Sequence, residues 1–226
     1  MSSKYEIEIK SLLASKENAE RLKQKLVEKY PHIKLAHTSK QLNHYFTGGN
    51  ISVLSQKFLP LVGEDKKQSF IKITSEGRNF SVRTRQTENI VLLVLKASID
   101  DTTSDNGISR MEWEGSIGTL SLDELDQMLL SSGFSYQAKW SREREEYKDG
   151  NLAVCIDKNA GYGYVAEFEK MVDDPAHAET SKQELLSLMN ELGVDELPQD
   201  RLARMFDFYN THWSEYYGTE NTFTIN

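Results

Sequence analysis

The chain has 226 residues, of which 38% are hydrophobic and 27% charged, and its formal net charge is −8. This length suits one large domain or two small ones with a proper core. The acidic balance argues against general affinity for nucleic acid or an anionic membrane, and there is no apolar run of about 18 residues to span a bilayer. Because the lone cysteine, Cys155, excludes an internal disulfide and the N-terminus lacks a signal-peptide core, we expect a cytoplasmic protein.

Four helices are predicted from the residues at their ends. The first covers Ser15–Tyr30 and stops before Pro31. The second begins at Ser121 and the third at Ser181, each with a glutamate three positions later, which is the capping-box pattern. The fourth covers residues 198–217, where aromatic side chains recur at steps of three or four, as expected of a helix that docks through one face.

The remaining periodic segments predict strands. They are Tyr5–Lys10, Gln41–Phe46, Phe70–Thr74, Phe80–Gln86, Ile90–Ala97, Ser109–Ile117, Ser141–Lys148, Leu152–Ile156 and Tyr164–Met171. Because strands and helices do not alternate, the sheet should be mostly antiparallel. Residues 47–68 fit neither pattern and predict a loop or a short helix, which could act as a lid. No linker divides the chain, so we expect one α+β domain over residues 1–226.

Charges alternate with apolar residues along many of these strands. In "YEIEIK", Glu6, Glu8 and Lys10 share one face, because successive side chains of a strand point to opposite faces. A single strand of this kind is normally half-buried with its charged face in water. Several such strands closed into a barrel, with helices outside, would instead turn the charges toward the lumen. Buried charges without partners are costly, so that arrangement requires a ligand.

The charged residues themselves indicate the ligand. The acidic set offers hard oxygen donors that suit Mg²⁺ or Mn²⁺. It comprises Glu6, Glu8, Glu112, Asp157, Glu167 and Glu169. The basic set suits phosphoryl oxygens. It comprises Lys10, Lys72, Arg83, Arg85, Lys96, Arg142 and Arg144. The five histidines show no metal-binding spacing. A polyphosphate with a divalent cation would satisfy both sets.

Five motifs in order resemble those of the CYTH proteins, the triphosphate tunnel metalloenzymes. They are "YEIEIK", "VRTR" followed by "LVLK", "RMEWE", "SREREEY" and "IDKNAGYGYVAEFE". The resemblance covers about residues 4–191. One departure follows the first helix, where family members often carry an acidic residue after a paired aromatic and this chain has Thr47, with Asn43 nearby. The segment 47–68 is also longer than in the smallest members.

The resemblance implies a closed eight-stranded antiparallel tunnel that binds a triphosphate and divalent cations. Relatives include inorganic triphosphatases, thiamine-triphosphatases, RNA triphosphatase relatives and class IV adenylyl cyclases. By this resemblance the acidic set holds the metal, and the basic set grips the phosphates. Lys10, Arg85 and Glu112 are the expected catalytic residues. Glu112 and Asp157 would serve a second ion that positions the attacking water.

Three functions remain open at this point. The first is metal-dependent hydrolysis of a triphosphate, either inorganic tripolyphosphate or a small organic one. The second is an adenylyl cyclase that makes cyclic AMP and pyrophosphate from ATP. The third is a polyphosphate or nucleotide binder without turnover. The expected partner is a small-molecule triphosphate, with neither nucleic acid nor membrane, and the protein is expected to be a monomer or a homodimer.

Overall fold

The structure is a computed structural model that describes residues 5–98 and 110–225. Within these ranges the chain forms eight strands. They are β1 Tyr5–Ala14, β2 Lys34–Gly48, β3 Arg78–Thr87, β4 Ile90–Ser98, β5 Arg110–Gly115, β6 Phe134–Asp149, β7 Leu152–Asn159 and β8 Gly163–Val172. The strands form one antiparallel sheet in the order β1-β8-β7-β6-β2-β3-β4-β5. This order confirms the predicted eight-stranded α+β class. It contains no pairing of β1 with β5, so closure of the sheet into a tunnel stays a prediction.

Six α-helices accompany the sheet in the described part of the chain. They are α1 Lys16–Lys29, α2 Ile51–Phe58, α3 Glu64–Glu76, α4 Leu122–Leu130, α5 Ala178–Leu192 and α6 Gln199–Tyr216. The predicted capping box of α4 is present, since the Ser121 and Glu124 side chains each bond the other's backbone N–H. Gly193 ends α5 in the left-handed conformation, with φ 68°. None of the described helices is long and apolar enough to cross a membrane.

The chain divides into two compact units. Unit 1 comprises Met1–Lys40 and Ser141–Asn226, and unit 2 comprises Gln41–Trp140. In unit 2, helices α2, α3 and α4 cover one face of β2–β5 and bury a core that includes Phe46, Phe70 and Trp113. In unit 1, α1 and α5 pack on β1 and β8, and they bury Leu22 and Leu185. Each unit therefore has one sheet face covered by helices, and the charged residues lie on the other.

The aromatic helix α6 docks within unit 1 of its own chain. Tyr209 on α6 is fully buried and meets Tyr162, between β7 and β8, edge to face at 6.0 Å between ring centroids. Residues after the helix then run beside the same turn, where the Phe223 N–H donates to the Gly161 carbonyl at 2.8 Å. The predicted C-terminal helix is thus confirmed, and both the helix and the tail after it pack against the β7–β8 turn.

Two local predictions were wrong. The expected strand Phe70–Thr74 is part of α3, because Phe70 and Ile73 are buried at helical spacing. The third helix begins at Ala178, so Ser181 lies inside α5 and does not cap it. Residues 47–68, where a loop or a short helix was predicted, contain α2, a 3₁₀ turn at Leu59–Leu61 and the start of α3, so the helical alternative is confirmed. The other predicted strands are present, mostly with longer bounds, although Ser109 lies outside the described residues.

Candidate functional site

Eight charged side chains of unit 1 form a group on one face of four neighbouring strands, and Glu146 and Lys148, farther along the same face of β6, pair with each other. This unit 1 cluster consists of Glu6, Glu8, Lys10, Arg142, Arg144, Asp157, Glu167 and Glu169. Residues directly opposite each other in a β-ladder share a face. The pairs Glu8–Glu169, Lys10–Glu167 and Arg144–Asp157 therefore follow from the register of β1, β8, β7 and β6. The alternation read in the sequence thus becomes a continuous charged surface.

Arg144 is the centre of this cluster. Its Nε and Nη2 donate to the two oxygens of Asp157, both at 2.7 Å, and Nη2 also contacts Glu167. Arg142 adds a third bond to Asp157, at 3.2 Å, and Asp157 is fully buried. Burial disfavours the charge of Arg144, but the carboxylates of Glu167 and Asp157 raise its pKa above the usual value. Asp157 is therefore bound by arginines on both of its oxygens.

Lys10 balances the next carboxylates along the face. Its Nζ contacts Glu8 and donates to Glu167 at 2.9 Å. Burial alone would raise the pKa of Glu167, but the positive charges of Lys10 and of Arg144 and Arg142 hold it well below its usual range. Glu167 is thus a carboxylate that stays ionised because three cations surround it.

Glu6, Glu8 and Glu169 form a carboxylate group at the end of the cluster. One oxygen from each lies within 4.8 Å of the other two. Burial, together with the charges of Glu167 and Glu6, raises the pKa of Glu169 to about 7. Five carboxylates against three basic side chains leave the cluster two negative charges in excess when all are ionised. Hard carboxylate oxygens at this spacing, with that excess, fit a divalent cation such as Mg²⁺ or Mn²⁺.

Unit 2 carries a second charged group, the unit 2 cluster, on the face of β2–β5 that its helices leave uncovered. It consists of Arg83, Arg85, Lys96, Glu112 and Glu114, with Asn43 and Tyr45 beside them. Arg85 donates from Nε to Asn43 Oδ1 at 2.9 Å and from Nη1 to Glu114 at 2.8 Å. Lys96 pairs with Glu112 at 3.1 Å. Three bases against two acids leave this cluster positive.

Arg83 is held by an aromatic ring in the same cluster. Its guanidinium carbon lies 4.6 Å from the ring centroid of Tyr45, and its Nη1 donates to the Tyr45 hydroxyl at 2.9 Å. The Nε of Arg83 is buried and has no hydrogen-bond partner within the described residues. Such a donor is one that an anionic oxygen could satisfy. The sequence indicated Arg83, but it did not show that Tyr45 and Asn43 would contact the arginines.

The structure changes the set of site residues in two ways. Lys72 is exposed on α3, so the predicted strand in which it lay is absent, and we omit it from the proposals below. Glu114, which was not among the predicted site residues, pairs with Arg85 and belongs to the unit 2 cluster. The proposed roles of the other predicted residues stay predictions, including the shared ion of Glu112 and Asp157.

Comparison with known proteins agrees with this fold. The structure is similar to the PH1012 protein of Pyrococcus horikoshii OT3, with 17% identity and a TM-score of 0.57 over 84% of this chain and 91% of that one. It is also similar to the PH1819 protein of the same organism, with 18% identity and a TM-score of 0.56 over 86% and 93% of the two chains.

A third solved structure comes from Vibrio parahaemolyticus, and its name assigns it provisionally to the adenylate cyclases. It is 16% identical, with a TM-score of 0.56 over 86% of this chain and 93% of that one. At these identities the likeness shows the fold alone. No protein with a curated description matches the chain. The family model of the CYTH domain matches residues 71–201, more than half of the sequence, and the chain therefore belongs to the CYTH family.

Proposed function

We propose that the protein is a divalent-metal-dependent hydrolase of a triphosphate. The observation that carries this proposal is the unit 1 cluster, where Glu6, Glu8 and Glu169 bring carboxylate oxygens within 4.8 Å of one another beside Lys10 and Arg144. Membership of the CYTH family supports it, because that family includes triphosphatases and cyclases. A plain solvated sheet face would not need like charges opposed in register.

The carboxylates of unit 1 have the first role in this proposal. Glu6, Glu8 and Glu169 would hold the cation, while Glu167 and Asp157 keep Lys10 and Arg144 extended along the face. When bound, a divalent cation neutralises phosphoryl oxygens and lowers the pKa of water. Lys10, Arg142 and Arg144 carry the positive charges of this cluster that could contact the transferred phosphate.

The basic residues of unit 2 have the second role. Arg83, Arg85 and Lys96 would bind phosphoryl oxygens, and the buried Nε of Arg83 supports this role because it lacks a partner among the described residues. Asn43 accepts from Arg85 without adding a negative charge, so this contact leaves the guanidinium charge available to an anion. We assign Glu112 and Glu114 to the orientation of Lys96 and Arg85.

The test is a panel of tripolyphosphate, thiamine triphosphate and ATP, each incubated with Mg²⁺, Mn²⁺ or EDTA, with every product identified. Metal-dependent release of phosphate from at least one of them is expected. Formation of cyclic AMP and pyrophosphate from ATP would mean that the protein is a cyclase and not a hydrolase. Tight binding with no product under any metal would replace it with a binding protein.

Two variants connect the activity to the unit 1 cluster. Glu8→Gln keeps the shape of the side chain and removes one carboxylate of the proposed metal site, so metal-dependent turnover should fall by roughly 10²-fold. Glu143→Gln is the matched control, because Glu143 lies on the opposite face of β6 and pairs with Lys40 at 3.0 Å. Equal turnover by the two variants would contradict the assignment.

A further inference from the structure

A buried polar cluster lies behind the arginines of unit 2, on the helix-covered face of the sheet. We call it the Asp126 clamp; it consists of Asp126 on α4 with His44, Thr84 and Tyr136 on three strands. The carboxylate of Asp126 is fully buried. It accepts from the Thr84 hydroxyl at 2.6 Å and from the Tyr136 hydroxyl at 2.7 Å, and it lies 2.6 Å from His44 Nδ1.

The register places this clamp directly behind the phosphate-binding candidates. His44 on β2 is directly opposite Thr84 on β3, and both side chains bond the same carboxylate. Thr84 lies between Arg83 and Arg85 in the chain, and successive residues of a strand point to opposite faces at about 3.3 Å per residue. A shift of Thr84 relative to α4 therefore moves both arginines on the other face.

Asp126 is an unusual choice for this position of α4. The same helix buries Leu122, Leu125 and Leu129, so a fourth apolar residue would complete the stripe. Burying a carboxylate is unfavourable unless its oxygens are hydrogen-bonded. Apolar packing stabilises a helix on a sheet without fixing its position closely, whereas three directional bonds to three strands fix one position. The clamp is thus better suited to precise positioning than to general stability.

We propose that Asp126 is a positioning residue that, through Thr84 and His44, fixes the placement of Arg83 and Arg85. The part of this inference that concerns catalysis rests on the proposed function, since it takes the two arginines as phosphate ligands. On the face of the sheet that the helices leave uncovered, Arg85 is also bonded to Asn43 and Arg83 to Tyr45. Both arginines therefore lie on a strand whose position is fixed by the bonds to Asp126 on its opposite face.

The kinetic test compares two substitutions at Thr84. Thr84→Val keeps the shape and removes the hydroxyl, and we expect kcat/KM for the hydrolysed triphosphate to fall roughly tenfold or more, since small misplacements of binding groups reduce rates strongly. Thr84→Ser retains the hydroxyl and should stay within about threefold of the unsubstituted protein. The control is Leu129→Ala, which removes buried packing from the same helix but no hydrogen bond.

A purely structural clamp would give a different result. In that case activity would follow the loss of thermal stability, and Leu129→Ala, which creates a larger cavity, would lose at least as much activity as Thr84→Val. If Asp126 acts by positioning, Thr84→Val should lose more activity than Leu129→Ala, whereas Leu129→Ala should lose more stability than Thr84→Val. Thr84→Val and Thr84→Ser with equal kcat/KM would overturn the proposal.

A spectroscopic measurement tests the positioning without any turnover. The Nε–H signals of Arg83 and Arg85 can be assigned in ¹⁵N-labelled protein by substituting each arginine with lysine. We expect Thr84→Val to shift or broaden both signals, and Thr84→Ser and Leu129→Ala to leave them in place. Unchanged signals in Thr84→Val would refute the inference. If the unsubstituted protein hydrolyses no triphosphate but Thr84→Val still shifts both arginine signals, the proposed function is refuted and the positioning role of Asp126 is not.

Discussion

Glu8 lies directly opposite Glu169 across the β1–β8 pair, and with Glu6 their carboxylate oxygens come within 4.8 Å of one another. Like charges opposed across an antiparallel pair destabilise a sheet. Burial raises the pKa of Glu169 to about 7, and the neighbouring carboxylates of Glu167 and Glu6 add to this shift. An arrangement that is unfavourable in the protein alone becomes favourable when a cation balances it.

We therefore predict that Glu169→Gln stabilises the metal-free protein. Removing one of the opposed charges should raise the unfolding midpoint in EDTA by roughly 1–3 °C, since such pairs cost up to about 1 kcal/mol. The same variant should lose most of the rise in midpoint that Mn²⁺ gives the unsubstituted protein, because the proposed metal site lacks a carboxylate. Thermal unfolding with EDTA and with Mn²⁺ measures both effects.

Glu143→Gln is the control for this prediction too, because Glu143 pairs with Lys40 on the other face of β6. It should leave the response to Mn²⁺ unchanged. A Glu169→Gln protein that is less stable in EDTA would contradict the repulsion argument, and one that Mn²⁺ stabilises as strongly as before would show that Glu169 is not a metal ligand.

Arg85→Lys should lower turnover of the triphosphate by about 10²-fold even though the charge is kept. Arg85 donates to Asn43 and to Glu114 from different nitrogens, and a lysine ammonium cannot reproduce that planar fork. Steady-state kinetics measures the change. Arg21→Lys is the control, because Arg21 is exposed on α1 and pairs only with Glu17 among the contacts described for it. Similar rates for the two variants would remove Arg85 from the proposed site.

The charged strands could be predicted because their signal is local. Alternation along β1 or β8 puts Glu6 with Glu8, and Glu167 with Glu169, on one face whatever the strands pair with. Which carboxylate meets which cation depends on the register between strands, and the sequence does not encode that register locally. Hence the sequence indicated Asp157 as a metal ligand, while the structure shows both of its oxygens bonded to arginines.

Helix α3 shows why a local pattern can mislead. The segment Phe70–Thr74 contains closely spaced apolar residues. A run this short cannot distinguish a strand from part of a buried helix by its pattern alone. Two signals favoured the helix: Glu64 and Asp65 lie in its first turn and Gly77 follows its end.

Asp126 is a different case. An acid on an apolar stripe was visible in the sequence, but its partners come from three strands distant in the chain.

The Asp126 clamp predicts a specific dependence of stability on pH. Burial alone would raise the pKa of Asp126, but the hydrogen bonds from His44, Thr84 and Tyr136 hold it below its usual value. A lowered pKa in the folded state means that the stabilisation is fully present above the unfolded pKa of about 3.9. It is lost as the pH falls through the folded pKa. Asp126→Asn should therefore cost on the order of 3 kcal/mol at pH 7.

Urea unfolding of both proteins from pH 7 to pH 3 measures this dependence. The difference in free energy of unfolding between the two proteins should narrow as the pH falls from about 4 to 3, because the unfolded Asp126 binds a proton in this range and asparagine does not. A difference that stays the same down to pH 3 would mean that the carboxylate charge of Asp126 contributes nothing, and that the substitution acts through shape alone.

Gly161→Ala should separate the docked C-terminal tail from unit 1. Gly161 has φ +76°, and an added Cβ would lie 2.8 Å from Phe223 and 2.9 Å from Tyr209. Gly150 is a matched control, since it has φ +59° in the neighbouring β6–β7 turn and nothing within 4 Å of an added Cβ. Gly150→Ala should cost only the left-handed backbone penalty of about 1 kcal/mol. Gly161→Ala adds overpacking of about 1–3 kcal/mol.

The two alanine variants also differ in what they expose. Displacing Phe223 would uncover Tyr162 and Tyr209, which are buried in the intact protein. Limited proteolysis should therefore cut the tail after α6 faster in Gly161→Ala than in Gly150→Ala, and thermal unfolding should show the larger loss for Gly161→Ala. Equal losses and equal cleavage rates would mean that the tail contributes nothing to holding the β7–β8 turn, and that only the backbone conformation matters there.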